Sequence, residues 1–244
     1  MKKHPLTLLL AMASGLATSI TTHAAIITWG AAQNITGDSD VSLADSLVRA
    51  FNLGDSSIVA STTVNGVTFD PFGIPSLAPS VTIGNFTLAN ANGLRGFATN
   101  VPVPPFSSLS APYQSLLRSY GSTNNGGSMT LTMFGLTVSQ SYVFQWWANI
   151  DTFGAENQTT ATAGNAITLD VNTSNSNGGL GQFAIGTFIA DATGSQSITF
   201  SGSSNFGPTL DGFQLRVVPE PSTFAMLGLG LPALLAFRRR NRKA

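Results

Sequence analysis

The stretch Tyr142-Val143-Phe144-Gln145-Trp146-Trp147-Ala148-Asn149 is the densest concentration of ligand-holding side chains in the chain. Read as a strand, it places Tyr142, Phe144 and Trp146 on one face and Val143, Gln145, Trp147 and Asn149 on the other. Each face carries a tryptophan, and one face has to be core. An exposed Trp147 would stack on a sugar ring while Gln145 and Asn149 hydrogen-bond its hydroxyls, which makes these three the candidate ligand-binding residues. The competing expectation is that a loop or helix covers Trp147, because large aromatics are mostly buried.

The acids offer two further chemistries. Asp38 and Asp40, with Asp211, supply hard oxygen ligands suited to a structural calcium ion, although their spacing is unlike an EF-hand and aspartates are common in turns. No other cofactor is expected. Asp151 and Glu156 form the carboxylate pair whose local placement could support glycoside hydrolysis, which needs two carboxyl groups held about 5 to 10 Å apart. Nothing near them in sequence would raise one pKa to make a general acid, so no catalytic residue is assigned and a non-enzymatic protein is expected.

Composition removes other classes. The only histidines are His4 and His23, and there is no cysteine. The body, residues 25–218, therefore lacks Ser-His-Asp and Cys-His nucleophilic sites, nitrogen- or sulfur-ligated zinc, and the usual haem and iron–sulfur ligands. Seven of the eleven basic residues lie at the termini, which leaves the body with ten acids against four arginines, a net −6. Such a surface repels phosphate backbones, and nucleic acid is not an expected partner.

The elements that must position these residues read as short alternating runs separated by Gly, Asn, Ser and Pro. AIITWG, TTVNGVTF, SVTIGNFTLA, GSMTLTMFGL, SYVFQWWANI, NAITLDV, GQFAIGTFIA, SQSITF and LDGFQLRVV are the predicted strands. Two helices are predicted. PYQSLLRSYG repeats Tyr113, Leu116, Leu117 and Tyr120 at helical spacing, and DVSLADSLVRAFNLG puts Leu43, Leu47 and Phe51 on one face. IPSLAPS and NVPVPPFSSLSAP are too proline-rich for central strands, and no repeat of fixed period occurs. Thr-x-Thr, known from flat ice-binding surfaces, appears only in TLTM and TATA, too few copies for a regular array. The fold expected is all-β: one antiparallel, jelly-roll-like β-sandwich over 25–218 with one or two short helices, large enough to build a core without disulfides.

Both ends read as addresses. Residues 1–24 have a basic start, an apolar stretch from Leu6 to Ile20, and Thr22 and Ala24 at the −3 and −1 positions of a cleavage site, the pattern of a secretory signal peptide. At the other end, Pro219-Glu220-Pro221-Ser222 precedes an apolar run from Thr223 to Phe237 and a basic cluster at 238–243. As a helix the run is about 22 Å long, short against about 30 Å of hydrocarbon. The arginines would hold its far end on the cytoplasmic side, and the prolines would keep the preceding peptide extended and open to a protease.

In motif, order and spacing, VPEPST, the Leu/Gly-rich run and RRRNRK resemble the PEP-CTERM sorting signal of Gram-negative bacteria, over residues 219–244. The resemblance implies transient anchoring in the inner membrane, processing by an exosortase at Pro219, Glu220 and Pro221, and delivery to the cell surface or exopolysaccharide matrix. Pro232 within the run departs mildly from the pattern. The segments GDSDVS, VNGVTF, GLTVSQSYVFQWWAN, GQFAIGTFIADATGSQSITF and LDGFQLR resemble the body domain of other PEP-CTERM cargoes, a jelly-roll sandwich of the carbohydrate-binding or galactose-binding-like kind. The function expected is a non-catalytic module that holds extracellular polysaccharide, as in a biofilm matrix. The alternatives are an adhesive surface protein that binds other proteins and, more distantly, a glycoside hydrolase or ice-binding protein.

Overall fold

The computed structural model describes residues 25–124, 126–152, 154, 157–203 and 207–219. The predicted signal helix at 1–24, the apolar helix and basic tail at 223–243, and Glu156, Glu220 and Pro221 lie outside the described residues.

In chain order the strands are β1 (Thr28–Trp29), β2 (Gln33–Asn34), β3 (Ser46–Asp55), β4 (Thr62–Val64), β5 (Val67–Ile74), β6 (Ala78–Ile83), β7 (Phe86–Ala98) and β8 (Ser119–Thr123). They continue with β9 (Ser128–Met133), β10 (Ser141–Ala148), β11 (Gln158–Ala163), β12 (Asn165–Asp170), β13 (Gln182–Ile189), β14 (Gln196–Gly202) and β15 (Gly212–Val217). An α-helix, α1 (Ala111–Leu117), lies between β7 and β8 after a 3-10 turn at Phe106–Ser108. The first sheet runs β1-β13-β10-β15-β3-β5-β4, with β2 also on β13; the second runs β12-β11-β14-β9-β7-β6, with β8 also on β7. The pairings are antiparallel except β3 with β5. The two sheets make the β-sandwich expected from the alternating runs.

Local chemistry sets the turns. Asn65 and Gly66 both have positive φ, 48° and 78°, the conformation of the two-residue turn that matches strand twist, and Val64 pairs directly with Val67 across it. Pro79 falls on β6, an edge strand, where a missing N–H costs no central ladder bond.

The predicted helix over Leu43, Leu47 and Phe51 is absent: Leu47 and Phe51 belong to β3, and Leu43 lies in the irregular segment before it. The helical spacing is coincidental, because pairing to β15 on one side and β5 on the other supplies the backbone partners of β3, and tertiary pairing overrides local propensity. Phe51 enters the core while Leu43 and Leu47 stay exposed. The other predicted helix is found, but it ends at Leu117 and Tyr120 belongs to β8. Ser110 caps it, its Oγ accepting from Tyr113 N at 3.2 Å. After the helix, Gly121 passes so close to the core that a Cβ there would stand 2.7 Å from Ile74 Cδ1.

The main core fills the space between the sheets. The Phe144 and Phe213 rings stack at 5.5 Å, Phe51 meets Phe86 edge-on at 5.2 Å, and Trp146 meets Phe200 at 5.1 Å. A second core lies on the outer side of the first sheet, where α1 and the flanking loops cover Phe69, Trp147 and Phe183 with Tyr113, Leu116, Leu117 and Phe106. The strand β10 is thus buried on both faces.

Candidate functional site

The double burial of β10 corrects the reading of Trp147, Gln145 and Asn149 as an exposed sugar-binding face. Trp147 has no exposed surface, and Gln145 and Asn149 are equally enclosed. The Trp147 indole packs edge-on against Phe69 at 5.6 Å. Its Nε1 donates to the Tyr113 hydroxyl at 3.0 Å, and that hydroxyl donates to Asp40 Oδ2 at 3.1 Å. Burial, with the Asp40 carboxylate beside it, pushes the Tyr113 phenol far above its ordinary range, so it stays protonated as the donor.

Gln145 and Asn149 hold loops. Gln145 Oε1 accepts from Ser42 N at 3.0 Å and Gln214 Nε2 at 2.6 Å, and its Nε2 donates to the Asp40 carbonyl at 2.6 Å. Asn149 Nδ2 donates to the Leu117 carbonyl at 3.1 Å, and its Oδ1 accepts from Gly181 N at 2.8 Å. The same network continues through Arg216, whose guanidinium donates to Gln214 Oε1 and to the carbonyls of Leu43, Ala44 and Asp45. The amides fix segment 38–45, Gly181 and the end of α1 on the sheet, and their burial closes them to a ligand.

The expected calcium ligands are not assembled. Asp40 spends its carboxylate on Thr36 N, Thr36 Oγ1 and Gly37 N at 2.6 to 3.0 Å, besides Tyr113. Asp38 Oδ1 accepts from Ser110 Oγ at 2.6 Å. Asp211 is fully buried, its Oδ2 accepting from Asn149 N at 2.6 Å. Among the described residues, no three carboxylate, histidine or cysteine groups come together to hold a metal.

Asp151, one half of the predicted hydrolytic pair, is also fully buried, with Oδ2 accepting from Val101 N at 2.7 Å. It cannot reach a glycan in that position. Burial pushes the Asp211 carboxyl well above the usual carboxylate range, and the nearby Asp151 charge adds to the shift. Oδ1 of each carboxylate has no hydrogen-bond partner among the described residues.

What the sandwich exposes is a grid of hydroxyls on the outer face of the second sheet. Strand register aligns Thr82, Thr87, Thr132 and Ser197 in one row across β6, β7, β9 and β14. A second row sets Thr130, Thr199 and Thr162 side by side, and a third sets Ser128, Ser201, Thr160 and Thr168. All eleven side chains are exposed or half-buried. Neighbouring hydroxyls bond across strands: Thr82 to Thr87 at 2.8 Å, Thr132 to Ser197 at 3.1 Å, and Thr160 to Thr168 at 2.8 Å. Strand geometry spaces such groups about 4.8 Å across and about 6.7 Å along the sheet. The rows hold no charged side chain, and Asp170 at the margin is bonded to Gln158.

Two amide-lined depressions adjoin the grid. One, of about 460 Å³, is lined by Asn90, Asn92, Ser128 and Thr130; the other, of about 290 Å³, by Asn157, Gln158, Asp170 and Asn172. The grid was invisible in sequence because each strand contributes only one to three hydroxyls, and TLTM and TATA are brought onto one face only through β14. The alternating Thr and Ser of SQSITFS was the available signal.

The family model described as the PEP-CTERM protein-sorting motif matches residues 217–243, a span that includes Pro219, Glu220 and Pro221. The chain is therefore a β-sandwich protein whose C-terminal segment carries a PEP-CTERM sorting motif, which marks it for export with transient membrane anchoring. No curated protein matches it. Among solved structures it has slight similarity to a CBM35 from Cellvibrio japonicus Abf62, with 16% identity and a TM-score of 0.30 over 42% of this chain and 75% of that one. A second, from a study of the promiscuous specificity of carbohydrate-binding modules of the β-sandwich superfamily, has 14% identity and a TM-score of 0.16 over 62% of this chain and 71% of that one. These likenesses are too slight to transfer a ligand.

Proposed function

We propose that the chain is a non-catalytic polysaccharide-binding module, processed by an exosortase at Pro219-Glu220-Pro221 and delivered to the cell surface or exopolysaccharide matrix of a Gram-negative bacterium. The observation that carries the binding half is the uncharged hydroxyl grid with its adjoining amide-lined depressions. Hydroxyls donate and accept at once, as sugar hydroxyls do, and a face without charge suits a neutral polymer. The grid has no aromatic platform for a single ring, so affinity comes from many weak contacts and the ligand is a long chain or packed chains rather than a short oligosaccharide.

The test is co-sedimentation of the purified chain with insoluble neutral polysaccharides, in competition with short soluble oligosaccharides. Retention by polymer that oligomers do not release supports the reading; absence of retention on every polymer contradicts it. The same rows support a second reading, adsorption to ice, because the Thr-x-Thr pairs of β9 and β11 flank the Ser-x-Thr-x-Ser run of β14 on one face, with Thr130, Thr199 and Thr162 in one row. The amide depressions favour glycan over ice, and a thermal-hysteresis measurement separates the two.

A further inference from the structure

Ten large apolar side chains are exposed among the described residues, and seven of them lie at one end of the sandwich. Leu43, Leu47 and Val48 surround the start of β3, and Ile189 ends β13 at 60% exposure. Phe134 and Val138 lie on the β9–β10 connection, and Ile26 leads into β1. Strand register brings these starts and ends together, because Ser141 pairs with Ile189 while Val217 pairs with both Tyr142 and Ser46. A cavity of about 450 Å³, lined in part by Val48, Ile83 and Phe86, opens at this end. The other three exposed residues, Ile58, Leu77 and Val103, lie on connections at the opposite end.

The same end is where the chain leaves for its sorting segment. Val218 is still held, its N–H donating to the Ser141 carbonyl at 3.0 Å and its carbonyl accepting from Gln140 Nε2. Four residues, Pro219 to Ser222, then separate it from the apolar run that begins at Thr223. Fully extended, that connection spans at most about 17 Å, and headgroups take up about 6 Å of it. While the run is in the bilayer, the tether forces this end of the sandwich to face the lipid. The end that must face lipid is the one that exposes apolar side chains.

From this coincidence we infer that the apolar end, centred on Leu47, Val138 and Ile189, is a membrane-docking surface that seats the folded body on the lipid interface before the tail is processed. The inference rests on the sorting reading of the tail, which supplies the anchor. Docking would hold Pro219 at the headgroup level, where a membrane protease works, and would release the body once the tether is cut, since a few half-exposed side chains bind lipid weakly without an anchor. The acidic body makes apolar contact, rather than attraction to anionic lipid, the holding force, so docking should persist at high salt.

The absence of cysteine allows a direct test on the full chain. Single variants Leu47→Cys, Val138→Cys and Ile189→Cys, with Ile58→Cys and Leu77→Cys from the opposite end, are labelled with an environment-sensitive fluorophore. They are reconstituted into phosphatidylethanolamine–phosphatidylglycerol vesicles that contain spin-labelled lipid. Co-flotation with the vesicles reports tail insertion by itself, and its failure would sink the sorting reading instead. The expected result is several-fold stronger quenching at the first three positions than at the last two, unchanged by high salt. A label at Val48→Cys, in a chain also carrying Leu47→Asn, Val138→Asn and Ile189→Asn, should float equally well but lose that excess quenching. Undiminished quenching in this variant would mean that the tether alone brings the body close, and would overturn the docking surface. Labels shielded from aqueous iodide yet not quenched by lipid would overturn it too, by placing a protein surface, either the chain's own apolar run or a second copy, on the patch.

Discussion

The indole nitrogen of Trp147 donates to the hydroxyl of Tyr113 across 3.0 Å, and this bond joins the central strand β10 to helix α1. It explains why a strand with a tryptophan on each face has no exposed face: one ring belongs to the inter-sheet core and the other to a second core that α1 closes. A sequence feature that suggests ligand stacking is here a device for docking a helix.

Trp147→Ala should therefore act on stability. Removing a fully buried indole costs about 3–5 kcal/mol, and Tyr113→Phe, which strands the buried indole N–H, costs about 1–3 kcal/mol. Chemical denaturation measures both. Polysaccharide retention per folded molecule should be unchanged by Tyr113→Phe; its loss in a variant of native stability would restore β10 as a binding strand.

The buried carboxyl of Asp211 predicts a pH dependence with a definite sign. Its folded pKa lies above its unfolded value, so the folded state retains a proton that the unfolded chain has lost. Stability from this group is full below about pH 4, the ordinary Asp value, and falls as pH rises through the raised folded value. Asp211→Asn keeps an acceptor for Asn149 N and removes the charge. Its melting temperature should exceed that of the native chain at neutral pH, with the gap closing towards acid; parallel pH profiles would contradict the assignment.

Arg216 holds segment 43–45 by donating to three successive carbonyls, at 3.2, 2.6 and 3.0 Å. Arg216→Met should cost about 1–3 kcal/mol through the orphaned carbonyls and raise amide exchange along 42–46. Arg216→Lys should restore little, since an ammonium lacks the planar fork that spans several acceptors. Wild-type exchange in the methionine variant would show that the segment is held by other contacts.

Legibility in the sequence followed the range of the interactions. The alternating runs are local, and most strands were readable from them, but TTVNGVTF reads as one strand where β4 and β5 in fact pair across Asn65-Gly66. The strand fate of Leu47 to Phe51 was not readable, because its helical spacing is coincidental and only pairing to β15 and β5, outside the segment, decides it. Trp147 was misplaced for a related reason: alternation shows which residues share a face, but not what covers that face. The sorting tail was the most legible feature, since its chemistry lies in one continuous segment. The hydroxyl grid was the least, since it is assembled from strands far apart in the chain, from Thr82 on β6 to Ser201 on β14.

The claim that the hydroxyl grid is the binding surface is tested most directly by placing bulk and charge on it. Thr162→Lys and Ser201→Lys change exposed positions in different rows and should alter stability by no more than about 0.5 kcal/mol each. In the co-sedimentation measurement the account predicts that the doubly substituted chain, with native unfolding behaviour, loses retention on neutral polysaccharide several-fold. Retention equal to that of the native chain would contradict it and move the binding surface elsewhere on the sandwich.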